Sequence, residues 1–468
     1  MTPPLLSRRD FGSWSVGGLA ATALLHLLGR EASAAPQPHF EAKAKRVVHI
    51  SLIGGLSHLD SFDYKPKLAK LHGKKLDTTE TPDIFFGQVG LLRQPDWKFR
   101  PRGQSGLMIS DLFPHVAEMA DELTVIRSMT ADSANHTPAL YLGNSGFQFS
   151  GFPSMGSWAS FGLGSESEEL PAYVVLPDPR GQPNGGAAVW SNGFLPAEHQ
   201  GVVLQSGESP VRDLFPKEKQ PAEAESRELL KAMNAAHREH SGADDLLAAR
   251  TRSYELAARM QLSVPAVADV SKETKDTHTL YGLDDPKTAA FGRNCLLARR
   301  LLEKGVRFVQ LFSGGPVAGS PRVSWDAHEN VKENHTLEAE RIDRPVGALL
   351  RDLKQRGMLK DTLVLFTTEF GRTPFAQSGP TIVGPGRDHN KYGFSVWMAG
   401  AGLKAGSVYG ATDDIGWKVA ERPVPWHDFH ATVLHLLGLN HEKLTFYHNG
   451  IQRRLTNVHG EVVKGVLG

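Results

Sequence analysis

Cysteine is nearly absent from this sequence, which has only Cys295 among its 468 residues. A single thiol excludes an intramolecular disulfide framework and any zinc cluster built from cysteines. An excess of charge of one sign is also missing, because 52 Lys and Arg balance 51 Asp and Glu. Without a basic excess the chain lacks the electrostatic means to hold a nucleic-acid backbone, so nucleic acid is not expected as a partner.

The chain otherwise has the composition of an ordinary globular protein, with 40% hydrophobic and 22% charged residues. Its 47 Gly and 29 Pro indicate many loops between short elements. The 20 His are a conspicuous stock of side chains that can both titrate and bind metal ions. The composition therefore directs attention to imidazole chemistry.

The first 34 residues have the pattern of an export signal. Arg8 and Arg9 precede an uncharged stretch over 12–29, and the small residues at 32–34 suit a signal peptidase. Paired arginines in this place are typical of the twin-arginine signal. The apolar stretch is interrupted by Gly and is shorter than the ~20 residues that a membrane span needs. We therefore expect cleavage after residues 1–34, a periplasmic or secreted protein with no stable membrane span, and the twin-arginine translocase as a partner during export.

Short apolar runs alternate with helical patterns along the rest of the chain. This alternation favours an α/β class with a mostly parallel sheet covered on both faces. A helical pattern without any strand signal predicts a helical insertion at about 222–262, within a single domain over 35–468. The main predicted strands are 47–53, 123–126, 172–176, 306–312, 362–368 and 394–398, and the predicted helices outside the insertion are 114–122, one through 295–301, 335–356 and 431–437.

Side chains with chemical potential follow these strands at their carboxyl ends, where ligands bind in open α/β sheets. Four strand ends, or the loops just beyond them, present a carboxylate, and three of them add a His. Imidazole and carboxylate suit zinc, manganese and related divalent ions. The candidate metal ligands, of which one site would use only some, are Asp60, Asp326, His328, Glu369, Asp388, His389 and His430.

Each cluster also has a structural interpretation. Asp326 can cap a helix, and Asp388 with His389 fits a turn. Glu369 is harder to explain in this way, because a carboxylate buried at the end of an apolar strand costs several kcal/mol unless a cation or donor compensates it. Arg372 and a metal ion are both candidates for that partner.

A second group of candidates lies at residues 135–146. His136 and Thr137 open a predicted helix, whose N-terminus favours oxyanions, so His136 can act as a nucleophile or proton carrier. Alternatively, Asn135 or Thr137 caps the helix and His136 is an incidental surface group. Arg372 is the residue expected to hold the non-reacting oxygens of an anionic substrate.

Much of the chain is similar to a known family. It resembles the exported bacterial proteins grouped as domain of unknown function 1501, which are related to sulfatases and alkaline phosphatases. The resemblance implies an alkaline-phosphatase-like three-layer sandwich, a bound divalent cation (zinc, manganese or calcium) and an anionic ester substrate such as a sulfated or phosphorylated sugar. It covers most of residues 47–460 and is carried by the segments GGLSHLDSFDYKP, SDLFPH, NHTPALYLGNSG, GSWASFGLG, NGFLPAEHQG, YELAARMQ, CLLARRLLEKGVRFVQ, WDAHEN, TTEFGRTP, GRDHN and HDFHATVLHLLG.

The resemblance also implies roles for individual residues. Asp326 and His328 match the Asp–His pair of the phosphatase relatives, and Glu369 takes the place of an Asp that follows a similar strand. His430 resembles the late metal-ligating His of phosphatases. Asp60 or Asp63 would stand for the first-strand Asp, although two glycines occupy the place where that Asp normally ends the strand.

The nucleophile is the main departure from the family pattern. Sulfatases carry a modified Cys or Ser two residues before a Pro and ten before a Gly. Placing Pro138 and Gly146 on that pattern puts His136 at the nucleophile position, which argues against a formylglycine sulfatase. His136 would then attack or bind a metal, Thr137 would take over, or activity would be lost.

The leading hypothesis from the sequence is an exported metal-dependent hydrolase of phosphate or sulfate esters, with His136, Thr137 and Arg372 as catalytic residues. The alternative is a catalytically inactive, metal-stabilised binding or structural protein of the same fold. A mutase or isomerase role is a third option, because related folds host that chemistry.

Overall fold

The computed structural model describes residues 38–79, 81–205, 263–317 and 322–468, together with scattered residues between 225 and 260. The described residues of that last stretch are helical, and the rest of the predicted insertion at 222–262 lies outside the described residues. The expected signal segment 1–34 also lies outside them. Both therefore stay predictions.

Strands and helices alternate along the chain, as the apolar runs predict. The strands are β1 (Arg46–Leu52), β2 (Phe99–Arg102), β3 (Leu107–Ser110), β4 (Leu123–Thr130), β5 (Tyr173–Leu176), β6 (Val202–Val203), β7 (Phe308–Ser313), β8 (Thr362–Thr368), β9 (Gly371–Ala376), β10 (Arg387–Asn390), β11 (Phe394–Ala399), β12 (Ser407–Tyr409), β13 (Ala411–Thr412), β14 (Val419–Glu421), β15 (Val424–Pro425), β16 (Phe446–His448) and β17 (Ile451–Arg453). The α-helices with labels used below are α1 (Pro66–Lys70), α2 (Pro114–Ala117), α3 (His136–Ser145), α4 (Met155–Leu163), α5 (Lys275–Leu280), α6 (Ala289–Glu303), α7 (Val331–Gln355) and α8 (Trp426–Leu436).

A nine-stranded sheet forms the centre of the fold. Its order is β12-β4-β11-β8-β1-β7-β5-β6, and β15 pairs with β4 beside β12. β1 pairs in parallel with β7 and β8, whereas β11 is antiparallel to both β8 and β4. Because β11 reverses the direction twice, β4 runs the same way as β8, and β11 alone opposes the rest of this sheet. The predicted α/β class with a mostly parallel sheet is confirmed.

The sheet separates two hydrophobic cores, because successive side chains of a strand face opposite sides. On β1, Val48 and Ile50 enter one core with residues of α6 and α7. Val47 enters the other core, which holds residues of α3, α4 and α8. Each fully buried aliphatic side chain stabilises the fold by about 1.5–3 kcal/mol. The result is the expected three-layer arrangement of helices, sheet and helices.

Several boundaries and some structural features differ from the sequence prediction. The last predicted helix begins earlier, at Trp426 instead of 431, so His430 lies inside α8. The helix predicted over 114–122 ends at Ala117, and a 3-10 turn covers 120–122. The antiparallel arm of β9 and β10 was not predicted, because Arg-Asp-His-Asn in β10 has no apolar alternation. Within the described parts of the chain, none of the helices has both the length and the apolarity that crossing a membrane requires.

Candidate functional site

The carboxyl ends of three parallel-running strands bring their following loops to one edge of the sheet. His136 follows β4, Asp326 and His328 lie in the connection after β7, and Glu369 directly follows β8. His389 reaches the same place from the arm, on β10. Residues far apart in sequence therefore meet where α/β sheets bind their ligands.

Four of these side chains form a compact buried set, which we call the four-residue group: His136, Asp326, His328 and His389. One ligand atom from each lies within 4.8 Å of the other three. The Nε2 atoms of His328, His389 and His136 lie 2.9, 3.3 and 3.6 Å from Asp326 Oδ1. A tetrahedral zinc site places neighbouring ligand atoms about 3.4 Å apart. The four-residue group has the composition and spacing to hold a divalent metal ion.

The second ring nitrogen of each histidine meets an oxygen. His136 Nδ1 donates to Glu369 Oε1 at 2.5 Å, and His389 Nδ1 donates to the Ala134 carbonyl at 2.6 Å. His328 Nδ1 lies 2.5 Å from Gln377 Oε1. Metal-binding histidines are generally oriented in this way, because the outer hydrogen bond leaves the Nε2 lone pair for the metal.

This tautomer leaves the three Nε2 lone pairs facing a carboxylate oxygen and each other. The Nε2 atoms of His328 and His389 are only 2.8 Å apart. Burial, followed by the charge of Arg372, lowers the pKa of His328 to about 3 and holds that of His389 well below its usual value. Neutral imidazoles with converging lone pairs repel unless positive charge lies between them, so the donor set fits a cation.

Glu369 is buried behind the group. Its Oε1 accepts from His136 and, at 3.0 Å, from the Gly54 N–H. Its Oε2 is buried and has no hydrogen-bond partner among the described residues. Glu369 therefore orients His136 through Oε1, and its Oε2 remains free to accept a further hydrogen bond or to bind a cation.

Arg372 lies behind Asp326, away from the exterior. Its side chain is 0% exposed, and it donates to Asp326 Oδ1 at 2.8 Å and to the carbonyl of Gly55 at 2.8 Å. It also donates to the carbonyl of Gly54. Burial lowers the pKa of Arg372 to about 9, so it remains a cation at neutral pH. The structure thus gives Arg372 the position of a support for Asp326 and not the expected contact with substrate oxygens.

Gly54 explains why the first strand ends without an acid. Its φ is +118°, and a Cβ atom there would lie 2.3 Å from the Asp326 backbone nitrogen. The Trp325 N–H donates to the Ile53 carbonyl at 2.7 Å beside it. The glycine therefore allows the loop that carries Asp326 to pack directly on the end of β1.

The remaining candidate ligands lie outside the four-residue group. Asp60 pairs with Arg387 at 3.0 Å, and His430 Nε2 donates to the Gly143 carbonyl at 2.9 Å. Asp388 is a neighbour, with Oδ1 4.0 Å from His328 Nδ1. Thr137 follows His136 in the first turn of α3 and is partly buried.

Several residues at the site have no obvious sequence signal. Gln377 contacts His328, and Arg322 pairs with Asp326. The Phe85 and Phe86 rings lie 4.9 Å from His389 and 4.7 Å from His328, between ring centroids. The only hint in the sequence is a pair of aromatic residues in a loop that holds Pro and Gly.

Comparison with solved structures finds distant similarities. The PsFucS1 sulfatase from Pseudoalteromonas sp. is 13% identical, with 94% of this chain and 75% of that one covered at a TM-score of 0.36. A protein in the alkaline phosphatase superfamily from Vibrio parahaemolyticus is 13% identical, with coverage of 86% and 69% and a TM-score of 0.34. The phosphonate monoester hydrolase SpPMH from Silicibacter pomeroyi is 14% identical, with coverage of 70% and 68% and a TM-score of 0.31.

Among curated proteins, no sequence matches the chain. A family model does match, and it spans almost the whole of the described fold, from residue 44 to residue 467. The segments that carry the resemblance lie within that range, as does every member of the four-residue group. The chain therefore belongs to the DUF1501 family, described as proteins of unknown function.

Proposed function

We propose that this protein is an exported metal-dependent hydrolase of phosphate or sulfate esters, with the four-residue group as its metal centre. The observation that carries the proposal is the convergence of three imidazole Nε2 atoms on Asp326 Oδ1. Each Nδ1 atom is held by an oxygen acceptor, which fixes the direction of the free lone pair. Such an arrangement is costly to bury unless it binds a cation.

The donor set favours zinc or manganese over calcium. Calcium takes six to eight oxygen ligands, whereas three imidazoles and one carboxylate suit the borderline-soft zinc ion or manganese. A divalent cation held there supplies Lewis acidity at an ester oxygen. Glu369, Gln377 and Arg372 support this by fixing the orientation of His136, His328 and Asp326.

An anionic ester finds complementary groups next to this centre. The N–H groups in the first turn of a helix have no partner within the helix and attract anions, and α3 begins at His136 itself. Arg322, whose side chain is 27% exposed, lies beside Asp326 and takes over the substrate role first expected of Arg372. Thr137 offers a hydroxyl in the same turn. In this proposal Thr137 Oγ1 attacks the phosphorus or sulfur atom, the bond to the alcohol oxygen breaks, and the alcohol leaves with the proton that Thr137 gives up. Water then hydrolyses the threonine ester, while His136 holds its place in the group.

The alternative of a metal-stabilised binding protein has one observation in its favour. The residue at the position of the sulfatase nucleophile is His136, and its Nε2 points at Asp326, 3.6 Å away. A nitrogen committed to a metal cannot also attack a substrate. Thr137→Val separates the alternatives, because it removes only the hydroxyl. A hydrolase that uses Thr137 loses turnover and keeps its metal, whereas a binding protein has no turnover to lose.

The proposed function is tested by elemental analysis of the purified protein together with turnover of 4-nitrophenyl phosphate and 4-nitrophenyl sulfate. We expect about one zinc or manganese ion per chain, loss of turnover with a chelator, and recovery when the ion is restored. His389→Ala should lose both the ion and the turnover. His430→Asn is the matched control, since His430 is a buried histidine outside the group, and its folded fraction should keep the ion.

A His389→Ala protein that retains a full complement of metal would remove the proposed centre. Metal binding without hydrolysis of any phosphate or sulfate ester would favour the alternative. Export is tested separately, by sequencing the N-terminus of the protein recovered from the periplasm. We expect it to begin near residue 35, after cleavage beyond the small residues at 32–34.

A further inference from the structure

Two large apolar side chains remain open to solvent at the edge of the four-residue group. Phe85 is 45% exposed and Phe86 is 51% exposed. They lie in the connection between α1 and β2, whose flanking Ile84 and Val89 pack on a small separate core with Leu59 and Phe375. The segment is therefore seated by its neighbours, while its two phenylalanines stay outside that core.

Each of the two rings contacts a different histidine of the group. The centroid of Phe85 lies 4.9 Å from that of His389, and the centroid of Phe86 lies 4.7 Å from that of His328. The two rings meet nearly at right angles, with centroids 4.9 Å apart. One side of the pair thus covers the imidazoles, and the other side faces outward beside them.

Polar contacts fix the position of this aromatic pair. The Phe86 N–H donates to Asp388 Oδ2 at 2.8 Å, next to His389 in the chain. On the other side, Asp83 Oδ2 accepts from the Tyr392 hydroxyl at 2.6 Å and lies 3.1 Å from Lys391 Nζ. The connection is tied to the strand that carries His389 and to the turn that follows it. These polar contacts therefore hold the two phenylalanines in place, which a chance contact between aromatic rings would not require.

We propose that Phe85 and Phe86 form an apolar wall that selects esters whose alcohol carries a ring, either a planar aryl ring or a pyranose that presents its apolar C–H face. This inference rests on the proposed function, because it takes the anionic group of the ester to lie at the four-residue group. An ester bound there places its alcohol within a few ångströms of the two rings. Covering an open aromatic face with a second ring gains both apolar burial and stacking. A small acyclic alcohol covers little of it.

The test compares two phosphonates that bind without turnover, phenylphosphonate and methylphosphonate, by calorimetry on the metal-loaded protein. The double variant Phe85→Ala/Phe86→Ala should weaken phenylphosphonate binding about tenfold and leave methylphosphonate binding within about twofold. Its metal content should equal that of the wild type. Phe149→Ala is the matched control, since Phe149 is 74% exposed elsewhere on the surface, and it should change neither affinity.

Other outcomes contradict specific parts of the proposal. Equal weakening of both phosphonates, or no weakening of either, overturns the apolar wall and leaves the proposed function standing. Loss of metal in the double variant would instead show that the rings only shield the ligands, which also overturns the wall. Failure of the metal-loaded wild type to bind either phosphonate overturns the proposed function itself.

Discussion

Asp326 and Asp60 are two buried aspartates, each paired with a buried arginine, and they have opposite surroundings. Asp60 Oδ2 accepts from Ser57 Oγ at 2.6 Å and from Arg387 Nε at 3.0 Å, and its Oδ1 accepts from a backbone N–H at 2.8 Å. Asp326 Oδ1 also accepts from Arg372, at 2.8 Å. The same oxygen, however, faces three imidazole nitrogens that carry lone pairs.

This difference shows that the neighbours of an acid decide its role more than its burial does. Burial alone would raise the pKa of Asp60, but the charges of Arg387 and Arg93, together with hydrogen bonds from Ser57 and the Asp96 N–H, outweigh it and hold that pKa below its usual value. The protein alone thus satisfies Asp60 completely. At Asp326 two arginines, Arg372 and Arg322, stand against three converging imidazole acceptors, and the proposed metal ion would supply positive charge between those acceptors.

The largest expected effect is on the free energy of unfolding, when the Asp60 carboxylate, which needs no metal ion, is removed. Asp60→Asn leaves Arg387 as a buried, unpaired cation, which should lower the free energy of unfolding by about 3–5 kcal/mol. Denaturant unfolding measures the loss, and the folded protein should keep its metal. Asp111→Asn is the control: the partly exposed Asp111 pairs with Arg102 at 2.6 Å, and its loss should cost less than about 1 kcal/mol. Equal costs for the two variants would contradict the distinction.

Removing the metal should have the next largest effect. An ion that binds only the folded state at a thousand times its Kd stabilises that state by about 4 kcal/mol. A chelator should therefore lower Tm in calorimetric scans, and the fall should persist in Asp60→Asn, whose metal centre is intact. In His389→Ala, which should hold no metal, adding the chelator should not lower Tm further. A wild-type Tm that is unchanged after proven loss of metal would refute the role given to Asp326.

A smaller effect is expected from the outer hydrogen bond of one ligand. Gln377→Leu removes the acceptor that holds His328 Nδ1 at 2.5 Å. Metal affinity should fall about 10–100-fold, as for other outer partners of metal ligands. Competition with a chromogenic chelator measures the change, and Gln377→Glu should restore much of the affinity because it returns an acceptor oxygen. Identical behaviour of the Leu and Glu variants would show that Gln377 only fills space.

Much of the fold follows from the sequence, because short apolar runs rich in β-branched and aromatic residues, such as 362–368, favour buried strands. Knowing that such strands end at one edge also predicts the meeting of His136 and Asp326, whereas His389 lies on the arm of β9 and β10, which the sequence pattern did not predict. The residues of β11 do not indicate that this strand runs antiparallel to its neighbours, so its direction could not be predicted. Asp60 lies outside the four-residue group because it pairs with Arg387. This pairing joins residues far apart in the sequence, and no local pattern predicts it. The role of Gln377 could not be predicted either, because it depends on a contact with the imidazole of His328 that the sequence does not show.

The smallest effect concerns His430, a buried histidine outside the four-residue group. Burial lowers the pKa of His430 to about 3, and its Nδ1 has no partner in the described part of the chain. The unfolded chain, with a pKa near 6.5, binds this proton first, so the contribution to stability is complete above about pH 6.5 and declines as pH falls toward 3. Between pH 6 and 5 the decline should be about 1 kcal/mol for this one group.

His430→Gln should flatten the stability profile by that amount, measured by denaturant unfolding at both pH values after metal has been removed from both proteins. The two proteins differ only at residue 430, so the difference between their profiles reports on His430. Parallel profiles would mean that His430 takes up its proton inside the fold. That outcome would weaken the contrast between Asp60 and Asp326. It would show that a buried imidazole can carry a positive charge without an acid beside it, so the neighbours of a buried group would not decide its charge.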